Sequence, residues 1–529
     1  MQVLLVSRIK GEFCMKFKKY VFGVLAGALL VLCACTGPGQ EADPTATPTQ
    51  EPTPSPTPIV YYSKIKVDET KTHQTWESFG VSGCWWAQYV GGWDQPYKNR
   101  ELATREEIVQ YLYSMENGIG LTSYRYNLGA GSVEKENSGN FWYPERRAEC
   151  FEISAGKYDF ENKDVNAQWM LNRIVEVTEG EVDVVLFSNS PLCRLTTNGK
   201  AQMTSGETNN LPKENYDDFA KYVLDVAEYF VSQGIPVTDL SPINEPQWEW
   251  ADGQEGCHYE PKQCAELLRV FVDELNRRPN LVNAGVKISA VESAYWGGDA
   301  LEYYKAIMDD EVLGDYFKVF DCHSYASNLA GKLHFKEVAE ARWPGVEFRM
   351  TEWCEMVNGS DYTMDSAFVM ANVIMQDIKE LDVTAWQYWV GVANGGYRDG
   401  LIYVNTSARA CRPAKRLWAM GNFSKFIRPG YVRVDTSHKY KDLLNLDTVA
   451  FTGTNKDGQD ELVIVIINKE KEAKTIQMGL EDFGKYTSYE VYTTNESRDL
   501  EMTAGGEFEQ YTPMTIEAES IVTIRLINK

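Results

Sequence analysis

Two short segments carry the residues best suited to chemistry. They are Ser241-Pro242-Ile243-Asn244-Glu245-Pro246-Gln247-Trp248 and Phe348-Arg349-Met350-Thr351-Glu352-Trp353-Cys354. Each follows an extended run and brings a glutamate among aromatic and polar neighbours. Two carboxyl groups held across a sugar-sized gap are the minimum equipment for breaking a glycosidic bond. A single glutamate among 76 acidic residues is ordinarily a solvated surface group. Glu245 and Glu352 stand apart because both end apolar strands, in Asn-Glu-Pro and Thr-Glu-Trp contexts.

Other chemistries find no support. Five histidines, no HExxH, no zinc-spaced cysteines and no glycine-rich phosphate loop imply neither metal nor cofactor. No Gly-x-Ser-x-Gly elbow is present. A net charge of -24 repels phosphate backbones, so nucleic acid is not an expected partner. Tryptophan and tyrosine, at 14 and 30, exceed what core filling needs and suit stacking on sugar faces. No obligate protein partner is implied.

The glutamates need a scaffold that brings them together. Eight strand candidates alternate with helical patterns: Phe79–Trp86, Thr122–Leu128, Val182–Ser188, Asp239–Asn244, Val286–Val291, Val319–Tyr325, Glu347–Glu352 and Ala385–Val390. Helical spacing is clear from Tyr216 to Gln233 and from Pro261 to Arg277. The pattern predicts an α/β fold, a (β/α)8 TIM barrel over residues 71–425. An open doubly wound sheet is the alternative, disfavoured by the missing phosphate loop. From 426 to 529 no helical period appears. Glu461 to Ile467 is a continuous apolar run, and the segment reads as an antiparallel β-sandwich. Residues 59–70 alternate and could add a strand to it.

Barrel chemistry sits where strands end. Glu245 and Glu352 end strands four and seven, where a spacing of about 5–5.5 Å would give retention of configuration. Arg125 on strand two could hold Glu352 ionised. His323 and Tyr325 end strand six, and Tyr325 could hydrogen-bond Glu352. Trp389 ends strand eight and could floor the sugar site. Trp85 and Trp86 are adjacent on strand one, so only one can face the cleft. Trp248, Trp250, His258 and Trp296 follow strands four and five and could stack on further sugars. Asn189, Thr197 and Asn198 could meet hydroxyls.

The segments Phe79 to Trp86, Tyr124 to Gly131, Ser241 to Trp248 and Arg349 to Cys354, in this order, resemble glycoside hydrolase family 30. That resemblance implies a barrel with a companion sandwich and a retaining mechanism. It implies Glu245 as acid/base, Glu352 as nucleophile and Asn244 as partner of the sugar 2-hydroxyl. Asn127, in the second segment, joins the substrate-binding candidates. The Pro246-Gln247-Trp248 and Gln254 to His258 stretches look most like the endo-β-1,6-galactanase side of the family. Xylan or another β-glycan is the alternative within it. A surface glycan-binding lipoprotein without catalysis is the alternative of another class.

The N-terminus reads as an export signal. Met15-Lys16-Phe17-Lys18-Lys19 is a basic n-region and Val21 to Leu32 an apolar h-region too short to span a bilayer comfortably. Leu32-Cys33-Ala34-Cys35 resembles a bacterial lipobox, which makes Cys35 the lipid-bearing residue and residues 1–35 the leader. Residues 36–58, rich in Pro and Thr, form an extended linker. The expected location is the outer surface of a bacterial cell, held in the membrane by lipid. Beyond Cys14, Cys33 and Cys35, eight of the eleven cysteines remain, either paired or free.

Overall fold

The computed structural model describes residues 63–438, 445–482, 484–509 and 511–528. The leader, Cys35 and the Pro/Thr linker lie outside these residues. No helix among the described residues is long and apolar enough to cross a membrane.

Eight parallel strands form a ring. In hydrogen-bonded order they are Lys287–Ile288, Val237–Ser241, Asp183–Phe187, Ser123–Asn127, Ser78–Ser82, Ala385–Tyr388, Glu347–Trp353, Val319–His323 and Val291–Ser293. Lys287–Ile288 and Val291–Ser293 are two pieces of barrel strand five. The first pairs with strand four and the second with strand six, which closes the barrel. The sequence reads this strand as one run, Val286–Val291. The break sets Glu292 on a separate piece with its backbone in the left-handed region, at φ 55°.

Helices between the strands bury one apolar stripe each. Tyr216–Ser232 buries Phe219, Tyr222, Val223, Val226 and Phe230. Pro261–Leu275 starts with proline at its first position and a reciprocal Glu260–Gln263 capping box. A three-stranded insertion, Val390–Ala393, Gly400–Asn405 and Ala410–Pro413, follows strand eight at the barrel mouth. No periodicity in the sequence announces it.

Strand one ends at Ser82, so Trp85 and Trp86 lie beyond it. Trp86 precedes the short helix Ala87–Val90, and alternation along a strand does not govern which way the two indoles face.

A second nine-stranded sheet takes the C-terminal strands in the order Glu501–Glu507, Ser488–Thr494, Ser520–Ile527, Asp460–Asn468, Leu446–Thr454, Val432–His438, Ser63–Thr75, Lys474–Gly479 and Pro513–Ile516. The sheet is mixed rather than purely antiparallel, because Ser63–Thr75 runs parallel to Lys474–Gly479. Strands from both ends of this order share one core, with Met514 and Ile476 beside Ile464 and Ile524. The sheet therefore folds back on itself.

The apolar run at 461–467 is explained by its two buried faces. Leu462, Ile464 and Ile466 fill the sheet's own core. Val463, Val465 and Ile467 join the core that includes the barrel. Asn422 of the last barrel helix and Thr523 of the sheet exchange hydrogen bonds across the same seam, at 2.9 and 2.6 Å.

Candidate active site

Glu245 lies four residues past strand four, in a stretch shaped by prolines 242 and 246. Its backbone is left-handed, at φ 44°, a conformation that costs a branched or bulky residue energy and must be held by its surroundings. Two bonds hold it. Its N–H donates to the Glu292 carbonyl at 2.9 Å, and its carbonyl accepts from the Trp250 indole at 3.0 Å. Glu352 sits within strand seven, one residue before its end. Both side chains are buried, each residue 4% exposed.

Donor atoms of Glu245, His323 and Glu352 lie within 4.8 Å of one another. His323 Nδ1 is 3.0 Å from Glu245 Oε1 and 3.5 Å from Glu352 Oε1. Its Nε2 is 3.0 Å from Glu292 Oε2. Burial opposes charge on the ring, but Glu352, Glu245 and Glu292 outweigh it and raise the pKa to about 10. The three side chains and Glu292 thus form one buried hydrogen-bonded network.

Arg125, fully buried, donates to Glu352 Oε2 at 2.9 Å and places a second nitrogen 3.6 Å from Glu292. It lies in the middle of strand two, which ends at Asn127. Tyr325 Oη donates to Glu352 Oε1 at 3.1 Å. Burial raises the pKa of Glu245, and the Glu352 charge adds to that, against the pull of His323. The two carboxyl groups thus differ by environment. One is pushed toward its neutral form; the other is ion-paired to Arg125 and hydrogen-bonded by Tyr325.

Several buried polar atoms near these carboxyls have no partner: Asn244 Oδ1, Asn189 Oδ1 and Trp248 Nε1. Buried polar groups are seldom left unpaired, so these atoms have bonding capacity that the protein does not use. Asn189 Nδ2 meanwhile donates to Asn127 Oδ1 at 3.1 Å. Trp389 follows strand eight, its N–H bonded to the Trp353 carbonyl at 2.9 Å, and its ring meets Trp85 edge-on at 5.3 Å. Arg146 stacks on the other side of this group, 4.4 Å from the Trp85 ring, 5.1 Å from Trp142 and 5.4 Å from Tyr143.

Two expected binding residues are packing residues. Trp296 is 2% exposed, gives its indole N–H to Ser324 Oγ at 2.8 Å and packs on Phe335 and Phe348. Trp86 is 1% exposed and gives its N–H to the Ser82 carbonyl at 2.9 Å. Asn198 spends its amide on the Gln202 carbonyl and Thr204. Ser241 and Thr351 are members of the network that the sequence does not single out as site residues, and Glu292 is one that it offers only as a substitute proton donor. The eight cysteines from Cys84 to Cys411 are all free and buried.

A family model described as O-Glycosyl hydrolase family 30 matches residues 62–328. The chain belongs to this family. It is accordingly an O-glycosyl hydrolase of the retaining, double-displacement class. An endo-beta-1,6-galactanase of Hypocrea rufa is 24% identical over 69% of this chain and 75% of its own length. The glucuronoxylanase XynC of Bacillus subtilis is 27% identical over 50% of this chain and 56% of its own. Among solved structures, a conserved exported protein from Bacteroides fragilis shares the fold, with a TM-score of 0.75 and 22% identity over 87% of this chain and 100% of that one. The family 30 hydrolase thus combines a TIM-type barrel with a sheet-rich domain, and acts on polysaccharide.

Proposed function

We propose that Glu352 is the nucleophile and Glu245 the acid/base of an endo-β-1,6-galactanase. The observation that carries the reading is the pair of buried carboxyls with oxygens within 4.8 Å, set in opposite environments. Retaining enzymes hold their two carboxyl groups about 5–5.5 Å apart, too close for an intervening water. Glu352 attacks the anomeric carbon while Glu245 protonates the leaving oxygen. Glu245 then takes a proton from the water that releases the sugar. Asn244 meets the 2-hydroxyl, with Asn127, Asn189, Trp85 and Trp248 lining the cleft and Trp389 beneath the ring. The 1,6-linked galactan preference is supported by the Hypocrea relative, which this chain matches over most of its length.

Arg146 favours a second reading. It forms no ion pair among the described residues and lies against Trp85 at the edge of the cleft. A cation so placed in a chain of net charge -24 suits an acidic substituent on a β-glycan, as on a decorated xylan. Incubating the protein with β-1,6-galactan, β-1,6-glucan, neutral xylan and glucuronoxylan, and reading released reducing ends and product lengths, separates the two. Galactan cleavage to short oligomers is the expected result. Selective cleavage of glucuronoxylan, lost in Arg146→Ala, would replace it with the second reading. No release from any β-glycan would return the protein to the class of glycan binders.

We further propose that residues 1–35 export the chain, that lipid at Cys35 holds it on the cell surface, and that residues 36–58 tether the barrel of 71–425 and the sheet domain of 426–529. Cys35→Ala should move the protein from the membrane fraction to the soluble fraction or the medium. An unchanged distribution would remove the anchor.

A further inference from the structure

A third glutamate lies beneath the pair. Glu292 is 1% exposed, and its carboxylate is met from four other barrel strands. Ser241 of strand four donates to Oε1 at 3.0 Å, and Arg125 of strand two approaches the same oxygen at 3.6 Å. His323 of strand six donates to Oε2 at 3.0 Å, and Thr351 of strand seven donates to it as well. The Glu292 carbonyl receives the N–H of Glu245. Burial works against its charge, yet Arg125, His323 and Thr351 hold its pKa at about 2. Both oxygens are committed to protein donors, so Glu292 is not placed to protonate or attack a substrate.

We propose that Glu292 is a positioning residue for proton transfer: bonded to Nε2, it keeps His323 a double donor, so that Nδ1–H faces Glu245 Oε1 and the acidic proton of Glu245 stays on Oε2. The inference rests on the assignment of Glu245 as acid and Glu352 as nucleophile. A neutral ring with its lone pair on Nδ1 would accept the Glu245 proton and turn the acid away from the leaving group. The groups facing the ring are Glu245 from strand four, Glu292 from strand five and Glu352 from strand seven. Arg125 shares the last two, and Tyr325 and the Cys322 thiol flank the ring on its own segment.

The charges around the ring stay balanced through the reaction. Before bond cleavage, Glu292 and Glu352 are carboxylates and Glu245 carries its proton. As Glu352 forms its bond to the anomeric carbon and the glycosidic C–O bond breaks, the proton passes from Glu245 to the leaving oxygen. Glu245 becomes a carboxylate as Glu352 becomes a neutral ester. In the second step water gives its proton to Glu245 and its oxygen to the anomeric carbon, and Glu352 is released as a carboxylate. The imidazolium faces two carboxylates at every stage, one of them always Glu292. It therefore need not titrate during turnover.

The test uses the full protein labelled with ¹⁵N-histidine. It has only five histidines, and His323→Asn identifies the signal. In the wild type both ring nitrogens of His323 should stay protonated from about pH 5 to 8, the window in which an ordinary histidine loses its proton. In Glu292→Gln the ring should titrate within that window. Turnover of polysaccharide should fall about 10²-fold, the low end of what general acid catalysis supplies, with KM little changed. The first step on an activated aryl glycoside should lose far less, and Glu292→Asp should recover part of the loss. A neutral His323 in the wild type overturns the proposal without any variant. Equal losses on both substrates with the imidazolium intact in Glu292→Gln overturn it too, since that is what a purely structural role produces. Wild-type turnover by Glu352→Ala or Glu245→Gln would instead remove the underlying assignment, whatever His323 does.

Discussion

Glu352→Ala should abolish hydrolysis of every glycan while leaving the barrel folded. The change removes the atom that attacks the anomeric carbon and opens a gap beside Arg125 and Tyr325, the two donors that meet Glu352 at 2.9 and 3.1 Å. Azide fits such a gap and is drawn there by the guanidinium nitrogen that Glu352 no longer occupies. With an activated aryl glycoside it should restore turnover and give the glycosyl azide of inverted configuration. Product of retained configuration, or turnover without azide at the wild-type rate, would assign the nucleophile elsewhere.

Glu245→Gln should separate substrates by their leaving groups. A polysaccharide hydroxyl leaves only if it receives a proton, whereas an activated phenolate hardly needs one. General acid catalysis is worth ~10²–10⁴-fold, and the loss on polysaccharide should fall in that range while the first step on the aryl substrate is nearly spared. The raised pKa of Glu245 keeps its acid form present as pH rises, and activity declines when that proton is lost. The basic limb of the pH–rate profile should therefore disappear in Glu245→Gln. Equal losses on both substrates with the limb intact would point to another donor. Glu255, Glu292 and Glu355 would be tested next. Both oxygens of Glu292 and of Glu355 are bonded to protein donors, whereas Glu255 keeps one oxygen without a partner and burial pushes its pKa up to about 7.

The sequence carries much of this arrangement because strand existence is local information. Apolar runs bounded by turns place the eight barrel strands, and chemistry-bearing residues at their C-terminal ends stand out. Strand ends are less legible. Phe79 to Trp86 is apolar apart from Ser82 and its glycines, but the chain leaves the sheet at Ser82, and composition does not show where hydrogen bonding stops. Trp296 and Trp85 are indistinguishable as letters; only the packing of Phe335 and Phe348 makes one a core residue. Glu292 is legible in the sequence only as a substitute proton donor near the mouth, not as the centre of a network. The apolar run of strand five ends at Val291, and its neighbours Ser293 and Ala294 give no hint that carboxylate partners would come from strands two, four, six and seven. The parallel pairing of Ser63–Thr75 with Lys474–Gly479 joins segments some four hundred residues apart, beyond any local pattern.

That same strand sets how the molecule bears force. Ser63–Thr75 is an interior strand, bonded to Val432–His438 on one side and Lys474–Gly479 on the other. A pull arriving from the N-terminal side enters the body at this strand and runs along it, at right angles to the hydrogen bonds that hold it. Such loading shears many bonds at once instead of peeling them one by one. Val463, Val465 and Ile467 of the same sheet are buried in the core shared with the barrel.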